Sequence, residues 1–280
     1  MNSYRYPSAS RPVAMGTHGM VSSAHPLASL SGLRILQDGG NAFDAVVATA
    51  STLNVVEPYM SGVGGIGVAL AYIAAENRVR SIDFSGRAPL KANPEAFTVD
   101  SKDNGIKSAM VPGNLSGWLT MHEHYGTFDR EVLFSQAIDY AENGFPITYL
   151  NSEIIKDVQA LLRKYPSKDI ILGPTGLPPK PGDRLKMPLL ADSFRKIIKE
   201  GHDSIYGGEL GRRLIQGNQE LGGLYTEEDF EDYRARWVDP ISVNYRGYKV
   251  YTTPPNCSSF QVLQILKTLE GLDSDDRAFQ

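Results

Sequence analysis

The stretch Glu57–Gly67, EPYMSGVGGIG, constrains the fold of this 280-residue chain more than any other. Small and apolar residues, Phe43–Val56, precede it, and the apolar run Val68–Ile73 follows. Pro58 cannot continue a helix, because it lacks an N–H donor and clashes with the preceding turn. Glycines at 62, 64, 65 and 67 resist any regular element. The segment therefore reads as helix, break, glycine-rich turn, strand. Gly62, Gly64 and Gly67 also satisfy G-x-G-x-x-G, but a dinucleotide site needs a strand before that pattern and a helix after it. The order here is reversed, so no nucleotide site is expected. Two readings remain: a tight turn with positive φ, or backbone brought close to a ligand or partner strand as one wall of a site.

The flanking sequence extends this frame. Pro26 suits the first turn of a helix, with Leu27, Leu30, Leu33 and Leu36 at helical spacing and Gly39-Gly40 as its C-cap. Asn41 caps the next helix, with Asp44 near its positive end. The alanines of that helix predict close packing against a sheet. Val68–Ile73 reads as a buried strand, Glu76-Asn77-Arg78 as a hairpin tip and Val79–Phe84 as the returning strand. Helices are expected over Gly113–His124, Arg130–Glu142, a segment marked by Leu190, Phe194, Ile197 and Ile198, Glu209–Leu221, a start at Thr226, and Phe260–Leu269 after Pro254-Pro255. Val243–Tyr251 is strand-like, residues 165–190 form an exposed Pro- and Gly-rich excursion, and the arm to about Arg11 is irregular. The pattern is mixed α and β with antiparallel hairpins.

Composition excludes several functions. A net charge of −4 gives no basic footprint for a nucleic-acid partner. The most apolar stretch, Ile66–Ala75, is too short to cross a bilayer, so no membrane partner is expected. Cys257 is the only cysteine, which excludes an intrachain disulfide and fits a cytoplasmic, reducing location. The histidines, including His122 and His124 at helix spacing i and i+2, form no metal pattern. Nothing matches G-x-S-x-G. Cys257, in PPNCSSF before a helix, is a nucleophile candidate by position, but the simpler reading is a small buried residue. Arg87, in Ser85-Gly86-Arg87-Ala88-Pro89 at a strand end, is the candidate substrate-binding residue, since a guanidinium holds a carboxylate in bidentate fashion. Its alternative is a surface arginine.

Taken in order, GMVSSAHPLAS (19–29), ILQDGGNAFDAVVATASTLNVVEPYMSGVGG (35–65), IDFSGRAP (82–89), VPGNLSGW (111–118), the 222–256 block with YRGYKVYTTPPN, and LQILKTLEGLD (263–273) resemble the γ-glutamyltranspeptidase family. The resemblance implies an N-terminal-nucleophile hydrolase fold, a four-layer αββα sandwich, of which residues 1–280 form a single partial domain corresponding to the large-subunit region. It implies a precursor that cuts itself to free a threonine, which attacks an amide and forms an acyl-enzyme without metal or organic cofactor. No threonine here matches that nucleophile, so no catalytic residue is expected in this chain. A complementary small-subunit segment is the expected partner, and the isolated chain is expected to be inactive. Family members specific for γ-glutamyl groups carry D-x-R-E-x-A-P, whose arginine holds the glutamyl α-carboxylate. Here Ser85 stands at that arginine position, and Arg87 lies two residues on, on the same face of an extended chain. The SGRAP form is similar to a branch that includes amidohydrolases of other small amides. The expected substrate is thus a glutathione-like γ-glutamyl compound or another carboxylated amide. The alternatives are an amidohydrolase acting on a non-glutamyl amide and a catalytically silent chain that binds or scaffolds.

Overall fold

Residues 13–271 are described in the computed structural model; the expected irregular arm to Arg11 and the residues after 271 lie outside them. In chain order the described residues form α1 (Pro26–Gln37), α2 (Ala42–Val56), β1 (Gly67–Ile73), β2 (Arg78–Phe84), α3 (Val99–Asp103), α4 (Asn114–Tyr125), α5 (Arg130–Asn143), β3 (Phe145–Pro146), α6 (Tyr149–Leu162), α7 (Ser167–Ile171) and β4 (Arg184–Leu185). They continue with α8 (Pro188–Glu200), α9 (Glu209–Glu220), α10 (Glu228–Glu231), β5 (Arg236–Val238), β6 (Ile241–Tyr245), β7 (Tyr248–Thr252) and α11 (Phe260–Glu270).

Local chemistry sets the first two helices. The N–H of Leu27 donates to His25 Nδ1 at 3.2 Å, and Pro26 occupies the first turn. At the other end Gly39 adopts φ +98°. The N–H groups of Gly39 and Gly40 then reach back to the carbonyls of Leu36 and Ile35, the Schellman closure that glycine permits. Asn41 and Asp44 form a capping box at the start of α2.

The buried face of α1 is not the leucine stripe. It is Ala28, Ser31, Gly32 and Ile35, and Leu30 faces outward. The reason is the close approach of α1 to α2: a β-carbon at Gly32 would lie 2.2 Å from Thr49 Oγ1. Small residues win the interface because the helix axes come too near for leucine. Thr52 donates to Ser31 across it at 3.0 Å. Helix α2 itself packs mainly on helices α1 and α5 rather than on a sheet.

Strands β1 and β2 pair antiparallel from Gly67↔Phe84 to Ile73↔Arg78, with β5 joining the other edge of β2. The hairpin tip is Ala74–Asn77, and Asn77 takes φ +47°. One face of this sheet meets α4, where Phe84 fills the space left by Gly117 and Gly67; β-carbons there would stand 2.3 and 2.5 Å from its ring. The expectation that β1 is fully buried is corrected: Val68, Leu70 and Tyr72 alternate outward and are exposed. Mixed α and β architecture is as expected.

Two further departures have local causes. Helix α6 was not anticipated; it begins with a reciprocal Thr148–Asn151 capping box, and Asn151 also reaches the carbonyl of Val56 and Tyr59 Oη. Val243–Tyr251 is not one strand but the hairpin β6–β7, turned by Arg246 and Gly247 at φ +48° and +85°. Both central residues are left-handed, as a two-residue hairpin turn requires. The excursion 165–190 is partly anchored, with Ile171, Leu172, Leu185 and Met187 buried.

Candidate functional site

The SGRAP turn leaves the end of β2, and three distant segments converge on it. The Ser85 N–H and Oγ–H both donate to Asp83 Oδ1, at 3.0 and 2.6 Å, folding the chain back on itself. Asn256 donates to Ser85 Oγ at 2.8 Å from the loop before α11. Gly86 adopts φ +75°, and a β-carbon there would lie 2.6 Å from the carbonyl oxygen of Val111. Both conditions restrict the position to glycine. The Gly86 N–H donates to Tyr233 Oη at 3.1 Å.

Arg87 is fixed through backbone and side chain. Its carbonyl accepts the Val111 N–H at 2.9 Å. Its Nη2 donates to the carbonyls of Glu228 (3.2 Å) and Asp229 (2.7 Å) at the short helix α10. Asp229 is fully buried, and its carboxylate takes the N–H groups of Leu90 (2.8 Å) and Thr226 (2.7 Å). The Arg87 guanidinium is therefore held through Nη2, its Nε is buried without a hydrogen-bond partner, and Nη1 has none among the described residues. Arg87 lines a cavity of about 260 Å³ with Asp83, Gly86, Asp232, Tyr233, Arg234 and Arg236. Arg236 lies 3.7 Å from Asp83. A larger cavity, about 1080 Å³, is confined to residues between Asp169 and Leu190 and includes nothing from the SGRAP turn.

The glycine run Gly62–Gly67 lies against the start of α4. The carbonyl of Gly65 accepts the N–H groups of both Gly113 and Asn114 at 2.9 Å, and the carbonyl of Gly62 accepts Asn114 Nδ2 at 2.8 Å. The turn thus satisfies N–H groups that a helix start leaves open. Gly62–Gly65 does close a tight turn, the Gly65 N–H donating to the Gly62 carbonyl at 2.9 Å, but none of these glycines has positive φ, so the turn does not require glycine for its backbone conformation. Close approach is the operative reason at two positions: a β-carbon at Gly65 would meet Asn114 Nδ2 at 2.6 Å, and one at Gly67 would meet the ring of Phe84.

Tyr233, Asp229 and Asn256 were missed as site residues by sequence reasoning. Thr226-x-x-Asp229 carries a helix-start signal, but the reach of Asp229 to Leu90 crosses 139 positions and leaves no local trace. Cys257 is half-buried rather than buried, within 2.8 Å of both Thr253 Oγ1 and Ser259 Oγ. Hydrogen bonds from Ser259 and Thr253 hold its thiol below the ordinary range.

Beneath the site, His202 stacks on Tyr206, and Tyr206 on Tyr233, with centroids 4.2 and 5.4 Å apart. His202 Nε2 meets Ser116 Oγ at 3.2 Å, and Ser116 Oγ accepts the Ala235 N–H. Burial, with the Arg234 charge adding to it, lowers His202 to about 4. Its neutral form is then preferred in the folded chain, so stability falls as pH drops from about 6.5 towards 4, by about 2 kcal/mol after allowance for its partial exposure. Urea titrations at pH 4.5 and 7.5 are expected to differ less for His202→Phe than for the parent by about that amount.

The sequence profile described as Gamma-glutamyltranspeptidase matches residues 28–280. The glutathione hydrolase proenzyme of Bacillus subtilis (strain 168) is 39% identical over 270 residues, 93% of this chain and 46% of that protein. The crystal structure of Helicobacter pylori gamma-glutamyltranspeptidase superposes with a TM-score of 0.89 at 32% identity, covering 94% of this chain and 77% of that one. The cephalosporin acylase of Bacillus halodurans superposes with a TM-score of 0.89 at 33% identity, covering 98% of this chain and 52% of that one. The chain spans about half the length of the curated relatives it matches. These likenesses bear out the N-terminal-nucleophile hydrolase class expected from the sequence: the chain belongs to the γ-glutamyltranspeptidase family.

Proposed function

We propose that this chain is the substrate-side portion of an amide hydrolase or acyltransferase that works through an acyl-enzyme on a threonine supplied by a complementary segment. The observation that carries the reading is Arg87, anchored through Nη2 on two backbone carbonyls, with Nη1 unengaged among the described residues, in the lining of a small polar cavity. An arginine already immobilised on the protein loses less freedom when it binds a carboxylate. The same lining carries Arg234 and Arg236 against Asp83 and Asp232, which leaves it one positive charge in excess with Arg87. The substrate is a carboxylated amide, a glutathione-like γ-glutamyl compound or a related acyl amide. The partner is a small-subunit-like segment, and the location is cytoplasmic.

Exposed apolar surface supports the partner. Ile66 just before β1, Val68, Leu70 and Tyr72 on it, and Val262, Ile265 and Leu269 on α11, are exposed among the described residues. Strand β1 is also an edge of its sheet among the described residues. Surfaces of this kind mark contacts with another chain segment.

In the complete enzyme, Arg87→Ala is expected to raise KM for a carboxylated amide about 10- to 100-fold, the effect of losing one charge-assisted hydrogen-bonding pair. An unchanged KM removes the clamp. The acylase reading for non-glutamyl amides is favoured by one observation, Ser85 in place of an arginine, bonded to Asp83 and Asn256 rather than free. A kcat/KM for a γ-glutamyl anilide that exceeds that for a glutaryl anilide at least tenfold would decide against it. Cys257→Ser is expected to retain most activity, because the thiol's close partners are hydroxyls and not a general base.

A further inference from the structure

Three tyrosine hydroxyls hold the backbone that carries Arg87. Tyr225 donates to the carbonyl of Met110 at 2.5 Å, and Tyr206 to that of Pro112 at 2.8 Å. Between them, Val111 gives its N–H to the carbonyl of Arg87. Tyr233 accepts the N–H of Gly86, on the residue directly before Arg87. Tyr233 is buried, and its ring stacks on that of Tyr206. The segment that supplies Tyr233 also supplies the Glu228 and Asp229 carbonyls under the guanidinium and the carboxylate that holds Leu90. Residues 86–90 are thus gripped at both ends, and in the middle through a side chain, by residues 228–233.

We infer that Tyr233 is a positioning residue for Arg87: its hydroxyl fixes the backbone leading into Arg87, and so the direction in which the guanidinium, through its unengaged Nη1, meets a substrate carboxylate. The inference rests on the reading of Arg87 as the carboxylate-binding group. Arginine is a long lever, so a small rotation of this backbone moves its tip on the order of 1 Å, enough to weaken a directional contact strongly. Phenylalanine at 233 keeps the stack on Tyr206 and removes only the acceptor for the Gly86 N–H.

The test uses the complete enzyme and two nitroanilides: a carboxylated one, γ-glutamyl or glutaryl according to which it turns over, and its counterpart without that carboxylate. The readout is the ratio of their kcat/KM values. Arg87→Ala is expected to collapse the ratio. Tyr233→Phe is expected to lower it about 3- to 10-fold through KM for the carboxylated substrate, leaving the other substrate within twofold. Tyr125→Phe, the same chemical change at a hydroxyl that bonds Glu76 and Arg80 rather than the backbone around Arg87, is expected to leave the ratio unchanged. Should Tyr233→Phe fail to fold, a fluorinated tyrosine at 233, a weaker acceptor in nearly the same volume, gives the same readout. A Tyr233 variant that lowers both substrates equally, or neither, while Arg87→Ala collapses the ratio overturns the positioning role and leaves the Arg87 reading intact. An unchanged ratio in Arg87→Ala overturns both.

Discussion

Gly113→Ala is expected to destabilise the chain by about 3 kcal/mol or more. Gly113 immediately precedes α4, with φ −115°, so backbone conformation does not forbid a side chain there. Space does. The new β-carbon would stand 1.9 Å from the carbonyl oxygen of Phe84 and 2.6 Å from Tyr233 Oη. The first obstacle is backbone, which no rotamer change can relieve. It is also the residue before Ser85, so relaxation would push the SGRAP turn away from α4. Urea denaturation measures the loss, and Gly64→Ala is the control. No atom lies within 4 Å of that β-carbon and φ is not positive, so a change within about 0.5 kcal/mol is expected. Equal losses at the two positions would contradict this account of the α4 contact.

Asp44→Ala is the second large effect, about 3–5 kcal/mol. Asp44 is fully buried, and its carboxylate accepts the N–H groups of Asn41, Thr127 and Phe128 and the hydroxyl of Thr127. Alanine would strand all four donors and free the linker between α4 and α5. Burial by itself raises this carboxyl, but the hydrogen bonds from Asn41, Thr127 and Phe128 outweigh it and leave it below its ordinary value. A folded-state pKa below the unfolded one adds stability above the ordinary value of 3.8, and that stability is lost as pH falls through the folded value. Asp44→Asn is expected to flatten the acid limb of the stability profile while losing less than Asp44→Ala. An acid limb unchanged in Asp44→Asn would assign acid sensitivity to other groups.

Short-range signals in this sequence translated well into structure. Pro26, Gly39-Gly40 and Asn41 placed α1, its closure and the start of α2 because each acts on its own neighbours. The stripe rule failed on α1, where the contact with α2 is too close for leucines and selects Gly32 and Ser31. Helix α6 escaped notice because its cap pairs Thr148 with Asn151 rather than with the usual acid or glutamine. The β6–β7 turn escaped because arginine at φ +48° is an unusual occupant.

The site was legible in part. SGRAP pointed to Arg87 and the family, but not to what holds the arginine. Glu228 and Asp229, which hold its guanidinium, and Tyr233, which holds the preceding Gly86, stand more than 140 positions away, and two of those contacts use backbone carbonyls, which no residue type announces. The glycine run was right in kind, close backbone approach, although its neighbours are Asn114 and Phe84.

The central claim is that this chain binds the substrate and a complementary segment brings the nucleophile. The direct measurement is release of nitroaniline from γ-glutamyl- or glutaryl-p-nitroanilide by the purified chain alone and after co-expression with a threonine-bearing C-terminal half from a family member. The account predicts no turnover by the chain alone, turnover in the co-expressed pair, and its loss in the pair carrying Arg87→Ala. Turnover by the chain alone at the rate of the pair would place the nucleophile within these 280 residues and contradict the account.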